Sequence, residues 1–432
     1  MTMKNILFIF TDQMHKFALN CMGTDDIITP NLDKLASQGV LFTNAYSNCP
    51  ICTPFRINLF TGLYSSQTNT LENESSIPDS CYTLADALNA GGYTTSYVGK
   101  WHIGDSGNKP IPENKRGGFQ HFIGYQCYNG FQDNVCFYDE EGSETRFEKH
   151  RTDVTTDLAI KRLNEIKDDK FAMFVSYQAP HYPVQPDAEY ANLYKGKTIK
   201  RRFNCLDIDP YTRTFSPPSP WPPDDCKNYI KYGNNLDEYL RLYYAMITQI
   251  DANVGRLLEE LERIGKRENT VVIFTSDHGD MQGAHGKKNK CLPYEESSGI
   301  PLIVSMPGAL QNGSKCDALV SGIDFYPSML DYADIKGQNA LPGRSFMPLL
   351  SNTNSSERSV FSEMPDWKMI RQGDFKLVVA TEGLRPKKFF NLKNDPFEMN
   401  NLVDDTIYQS KISQLRTDVE DWYKYVKKNK KK

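Results

Sequence analysis

The sequence has no apolar run long enough to cross a bilayer; its longest are the length of a single strand. It also lacks the cationic start, apolar stretch and small-residue cleavage site of a secretory leader. Met1 leads almost directly into Asn5-Ile6-Leu7-Phe8-Ile9-Phe10, which reads as a first core strand. The expectation is a cytoplasmic enzyme with no membrane partner. Charge of one sign is scarce as well. Fifty Lys and Arg against 54 Asp and Glu give a formal net charge of −4, which excludes a general attraction for nucleic acid or anionic lipid. Ten cysteines in 432 residues are too dilute for a disulfide framework. Cys49 and Cys52 form a Cys-x-x-Cys, but no second pair or nearby histidine completes a zinc site, and Cys49 reads as a packed free thiol. No internal repeat stands out.

Short β-rich runs alternate with helical patterns. The fold class this predicts is α/β: a large, mostly parallel central sheet sandwiched by helices, with a smaller C-terminal α+β subdomain containing an antiparallel sheet. Buried parallel strands are expected at Ile6 to Phe10, Tyr93 to Val98, Phe171 to Tyr177, Val271 to Phe274 and Leu302 to Ser305. Thr29-Pro30-Asn31-Leu32 opens a helix that Gly39 ends, Leu84 to Ala90 forms another, and Leu236 to Ile264 carries a long 3.6-residue apolar stripe. The texture changes between 186 and 235, where Pro217-Pro218 and Pro220-Trp221-Pro222-Pro223 suggest an irregular insertion near a site mouth. The polar run Ser351 to Ser356 marks a boundary between a catalytic domain, 1–355, and a C-terminal subdomain, 356–432. That subdomain is expected to hold strands at Phe375 to Val379 and Lys388 to Leu392, then a helix bearing Ile412, Leu415, Val419 and Trp422. The closing lysine run, 427–432, is expected to fray in solvent.

The groups able to do chemistry fall just past the predicted strand ends. These are Asp12-Gln13 after the first strand, Lys100 and His102 after the second, His181 after the third, and Asp277-His278 after the fourth. Open parallel sheets bind ligands at the carboxyl ends of their strands, so four such coincidences predict one crevice. Asp12, Gln13, Asp277 and His278 supply three oxygen donors and an imidazole. That set suits Ca2+ or Mg2+ better than zinc and leaves Mn2+ open. Arg56, Lys100 and Lys290 offer positive charge to a tetrahedral oxyanion, the apparatus of sulfuryl or phosphoryl transfer. Cys52 precedes a helical stretch whose amide N–H groups would favour a thiolate, so a plain cysteine nucleophile competes. His15, His121 and His150 are set aside as structural or surface residues.

The run Cys52-Thr53-Pro54-Phe55-Arg56, with Thr61-Gly62 after it, resembles the signature of the type I sulfatases of the alkaline-phosphatase superfamily. Asn5 through Gln13, Thr29 to Asp33, Gly39 to Tyr46, Gly99-Lys100-Trp101-His102, Ser276-Asp277-His278-Gly279, Tyr294 to Ser297 with Pro301-Leu302-Ile303, and Asp395-Pro396-Phe397-Glu398 extend the likeness over nearly the whole chain. The resemblance implies that a formylglycine-generating maturation enzyme oxidises Cys52 to formylglycine, whose hydrate is the nucleophile and also a ligand of the cation, beside Asp12, Gln13, Asp277 and His278. It implies that Arg56 and Lys100 neutralise the sulfate. His181 with Lys290 would protonate the departing oxygen, and His102 would take a proton from the second hydroxyl. His181 to Pro186 resembles a loop of sulfatases acting on sulfated sugars, including glycosaminoglycan fragments, so the expected substrate is a small sulfated saccharide attacked from its end. Two departures stand out: Gln13 replaces an aspartate found in many members, and Ser298-Gly299-Ile300 lacks an arginine often found there. The rivals are an arylsulfatase, a phosphonate monoester or phosphodiester hydrolase of the same superfamily, and an inactive sulfatase-like binding protein. Phosphorus-ester relatives tend to carry hydroxyl residues where this chain has Lys100 and His102, so the pair favours sulfate.

Overall fold

The computed structural model describes residues 4–205, 236–306, 313–337, 341–351 and 358–431. The polar run at 352–357, the Pro-rich stretch and the rest of 206–235 lie outside the described residues.

Eleven strands form the main sheet. In chain order they are β1 (Asn5–Asp12), β2 (Val40–Tyr46), β3 (Thr94–Lys100), β4 (His121–Tyr125), β5 (Val135–Tyr138), β6 (Glu144–Phe147), β7 (Phe171–Pro180), β8 (Thr270–Ser276), β9 (Gly299–Ser305), β10 (Ser314–Cys316) and β11 (Val320–Ser321). Their spatial order is β10-β2-β9-β8-β1-β7-β3-β4-β5-β6, with β11 paired to β2. The stretch β8-β1-β7-β3-β4 is parallel, with Phe8 opposite Phe174 on one side and Ile273 on the other. The strand predicted at Leu302 to Ser305 exists, but it runs antiparallel to both β8 and β2. An all-apolar run carries no mark of direction.

Each central strand buries both faces, which explains its unbroken apolar run. Leu7, Ile9, Met173, Val175, Val272 and Phe274 point into one core, beneath α1 (Pro30–Ser37), α4 (Arg151–Glu165) and α5 (Leu236–Arg263). Ile6, Phe8, Phe10, Ala172, Phe174 and Ile273 point into the other, beneath α2 (Cys52–Thr61), α3 (Leu84–Ala90) and α6 (Phe325–Tyr332). No helix among the described residues is long and apolar enough to cross a membrane.

A separate antiparallel sheet follows: β12 (Ser359–Glu363), β13 (Trp367–Gln372), β14 (Phe375–Ala380) and β15 (Pro386–Asn391). Period-two alternation sends Leu377 and Val379 toward α7 (Gln409–Lys428), which answers with Ile412, Leu415, Val419 and Trp422. Val378 and Met369 face the other way, onto Tyr46 and Cys49 of the large unit. The helix continues to Lys428, so the first two lysines of the closing run are ordered in its last turn, where cations complement the dipole.

One glycine positions the site. Gly99 sits at φ +116, and a Cβ there would lie 2.1 Å from the Ser176 carbonyl oxygen on β7. Gly99→Ala is therefore expected to cost about 2–4 kcal/mol from backbone strain and overpacking. A lowered urea midpoint at unchanged m-value is the check; an unchanged midpoint would contradict the close approach.

Candidate active site

The carboxyl ends of the parallel strands bring the expected groups together. β1 delivers Asp12, β8 delivers Asp277 and His278, and the first turn of α2 places Cys52 above them. The possible ligand atoms of these four residues lie within 4.8 Å of one another, all buried. Cys52 Sγ stands 3.5 Å from Asp12 Oδ1, 3.3 Å from His278 Nε2 and 3.1 Å from Lys290 Nζ.

The donor set fits a cation. His278 Nδ1 donates to the Gly279 carbonyl at 3.0 Å, which leaves the lone pair on Nε2. That lone pair faces Asp277 Oδ1 at 3.4 Å and Asp12 Oδ1 at 3.7 Å, three acceptors with no hydrogen between them. Burial pushes His278 down to about 4, against the pull of Asp277, so the ring is neutral and able to ligate. Gln13 joins through its carbonyl oxygen. Its Nε2 donates to Asp280 at 2.7 Å, which turns Oε1 toward Lys290 Nζ at 2.9 Å.

Positive charge converges on the same carboxylates. Arg56 reaches Asp12 at 3.2 Å and Asp277 at 3.1 Å, while its other terminal nitrogen is held by Ser176 Oγ and the Lys100 carbonyl. Lys100 Nζ bonds Asp12, and Lys290 Nζ lies 3.9 Å from it. Burial opposes ionisation of Asp12, but Lys100, then His181 and Lys290, hold its carboxyl well below the usual range. Burial likewise opposes the charge on Lys100, and Asp12, Cys127 and Cys52 together outweigh it and push its pKa up.

The thiolate expected from the helix start is not favoured. Burial, then Asp12, pushes the Cys52 thiol up, against Lys290 and Lys100. A free thiolate nucleophile loses ground on that account.

The two histidines flank this centre, and each is 5% exposed. The Nδ1 of His102 is buried without a hydrogen-bond partner among the described residues, and the residue's carbonyl accepts from Thr53 Oγ1 at 2.6 Å. His181 Nδ1 donates to the Tyr182 carbonyl at 2.6 Å. Burial, with Lys100 beside His102 and Lys290 beside His181, drives both well below the ordinary imidazole value.

Every residue singled out in the sequence thus lies at or beside one centre. Missed were its braces: Asp280 and Asn289 on Gln13, Ser176 on Arg56, and Thr53 on His102. Thr53 and Asn289 adjoin predicted residues, and that adjacency was the available signal. A second group able to ligate, His150, Asp153 and Asp187, is structural: His150 caps α4 and bonds Gln185, and amides of Asn253, Gln249 and Gln132 occupy the carboxylates.

Comparison with known proteins decides the family. The Sulfatase family model matches residues 4–335. The chain belongs to the sulfatase family. It is a sulfuric ester hydrolase of the alkaline-phosphatase superfamily. A second family model, N-sulphoglucosamine sulphohydrolase, C-terminal, matches residues 283–425 of this sulfatase. The sulfatase is 30% identical to the ulvan-active sulfatase of Formosa agariphila, over 96% of this chain and 80% of that one. It is 28% identical to the N-acetylglucosamine-6-O-sulfatase of Bacteroides thetaiotaomicron, over 98% and 87%. It superposes with a TM-score of 0.84 and 25% identity on a structure in complex with its substrate D-glucosamine-2-N,6-O-disulfate, covering 99% and 98% of the two chains.

Proposed function

We propose that this sulfatase removes an O-sulfate from the end of a small sulfated saccharide, with glucosamine sulfates the first class to test. It would use a formylglycine made from Cys52 by a maturation enzyme, and a divalent cation, Ca2+ first. The observation that carries the chemistry is the environment of Cys52 Sγ, which stands where the nucleophilic oxygen would be. It touches Lys290, His278 and Asp12 together. The relatives acting on ulvan and on glucosamine sulfates support the sugar class. The near-complete burial of His102 and His181 supports a narrow pocket that takes a chain end.

When present, the hydrated aldehyde supplies one hydroxyl to attack sulfur and a second to expel sulfate, and the cation acidifies the first. Asp12, Gln13, Asp277 and His278 would hold that cation, with position 52 as a further ligand. Arg56 and Lys100 hold the carboxylates in place and offer charge to the sulfate oxygens. The neutral His102, with Nδ1 free, is suited to take a proton from the second hydroxyl. His181, with one proton fixed on Nδ1, keeps Nε2 for the departing oxygen. An arriving anion raises the imidazolium fraction there, and Lys290 is the second donor. The division of the chain near residue 355 into a catalytic and a C-terminal unit belongs to the same reading.

Matured enzyme should release sulfate from 6-O-sulfated N-acetylglucosamine or another sulfated hexosamine faster than from aryl sulfates, and much faster than phosphate esters or phosphonates are cleaved. Faster cleavage of the phosphorus esters would overturn the assignment. Exhaustive chelation should abolish turnover and lower Tm, because a bound cation stabilises only the folded state. Ca2+ should restore both; full activity after verified metal removal would contradict the ligand set.

A further inference from the structure

A cavity of about 550 Å³ lies outside the group of residues around Cys52, lined in part by His15, Phe17, Arg202, Phe203, Gln282 and Phe397. It backs onto the catalytic wall. His15 is two residues beyond Gln13, and Gln282 is two beyond Asp280, so each lies within roughly 7 Å along the backbone of a residue bracing the centre. The volume is that of a small-molecule pocket.

Its chemistry is donor-rich. His15 is 2% exposed, and its Nδ1 accepts from the Phe17 amide at 3.2 Å. The ring proton is therefore on Nε2, which is buried beside the cavity wall and has no acceptor among the described residues. A buried donor without a partner costs free energy unless something supplies an acceptor. Arg202 is clamped in place: its guanidinium lies 3.7 Å from the Phe17 ring centroid and 5.1 Å from that of Phe397, and its Nε bonds Glu296 at 3.0 Å. No hydrogen bond to the described residues occupies its terminal nitrogens. Lys200 adds a second cation at the wall, and Asp25 and Asp26 offer acceptors to hydroxyl groups.

Phe203 decides the ligand class. The residue is 76% exposed, and its ring lies against that of Phe397, with centroids 5.5 Å apart. An open aromatic face beside a fixed guanidinium and a second, exposed ammonium suits a ring with an apolar face, several hydroxyls and a negative charge.

We propose that this cavity is a second saccharide site, which binds an anionic pyranose unit, sulfated or uronic, other than the one losing its sulfate. The inference rests on the saccharide reading given above. The same chemistry could come from a neighbouring unit of the substrate chain or from a separate sugar, and the test separates them.

Phe203→Ala removes an exposed ring and should leave the fold and aryl sulfate turnover unchanged; Arg202→Gln is the companion variant. Kinetics with a sulfated tetrasaccharide and its terminal monosaccharide, and calorimetric binding of both, are measured on wild type and variants. The expected result is a KM for the tetrasaccharide raised about tenfold at unchanged kcat, the worth of one stacked ring, with the monosaccharide unaffected. Weaker monosaccharide binding by calorimetry at unchanged KM would instead support a separate sugar in the same cavity. Identical KM values and identical binding in wild type and both variants would overturn the proposal. If wild type cleaves aryl sulfates but no saccharide, the substrate reading fails, and the calorimetric arm still decides the cavity.

Discussion

Cys52→Ala is expected to lose turnover by on the order of 10⁵-fold or more, the scale seen when a covalent nucleophile is removed. Position 52 is where Asp12, His278 and Lys290 meet, and no other hydroxyl or thiol is shown in contact with all three. The fold should survive. Removing one sulfur atom from a buried site leaves a small void, worth about 1–2 kcal/mol. Arg56 and Lys100 keep their own bonds to Asp12. Turnover of an aryl sulfate, read beside the melting curve, separates the two effects. Residual activity within a hundredfold of wild type would move the nucleophile elsewhere.

The second large effect divides the histidines. His102→Ala should release the alcohol in a burst and then stall, with sulfate retained by the protein, because the base for the second half-reaction is gone. His181→Ala should instead slow alcohol release by about 10²–10⁴-fold, the usual worth of a general acid, and most for poor leaving groups. Rapid-quench measurement of alcohol and sulfate separately gives the answer. A burst from His181→Ala and none from His102→Ala would reverse the two assignments.

Much of this centre was legible in the chain because two patterns coincide. Short unbroken apolar runs such as Ile6 to Phe10, bounded by polar residues, read as strands covered on both sides, and such strands put their next residues at the ligand edge. Asp12, Lys100, His181 and Asp277 follow from that rule, and Cys52 and Arg56 from a compact signature. What escaped depends on packing at a distance. The direction of β9 is invisible in an apolar run. The thiol of Cys52 was read from its helix start, but burial beside Asp12 outweighs the helix, and burial is a property of the whole fold. Asp280 braces Gln13 across 267 residues, which no local spacing announces. His15 looked like His121 and His150, other lone histidines. The structure separates them: His150 has both ring nitrogens engaged, whereas His15, in the wall of a cavity, keeps a buried donor with no acceptor among the described residues.

The most direct test of the central claim is the aldehyde content at position 52, measured against turnover. Preparations made with and without a formylglycine-generating partner would be labelled with a hydrazide probe, the peptide containing position 52 quantified, and kcat determined for each. The account predicts that kcat rises in proportion to the labelled fraction and vanishes with it. Full turnover from protein whose Cys52 is an unmodified thiol would contradict it.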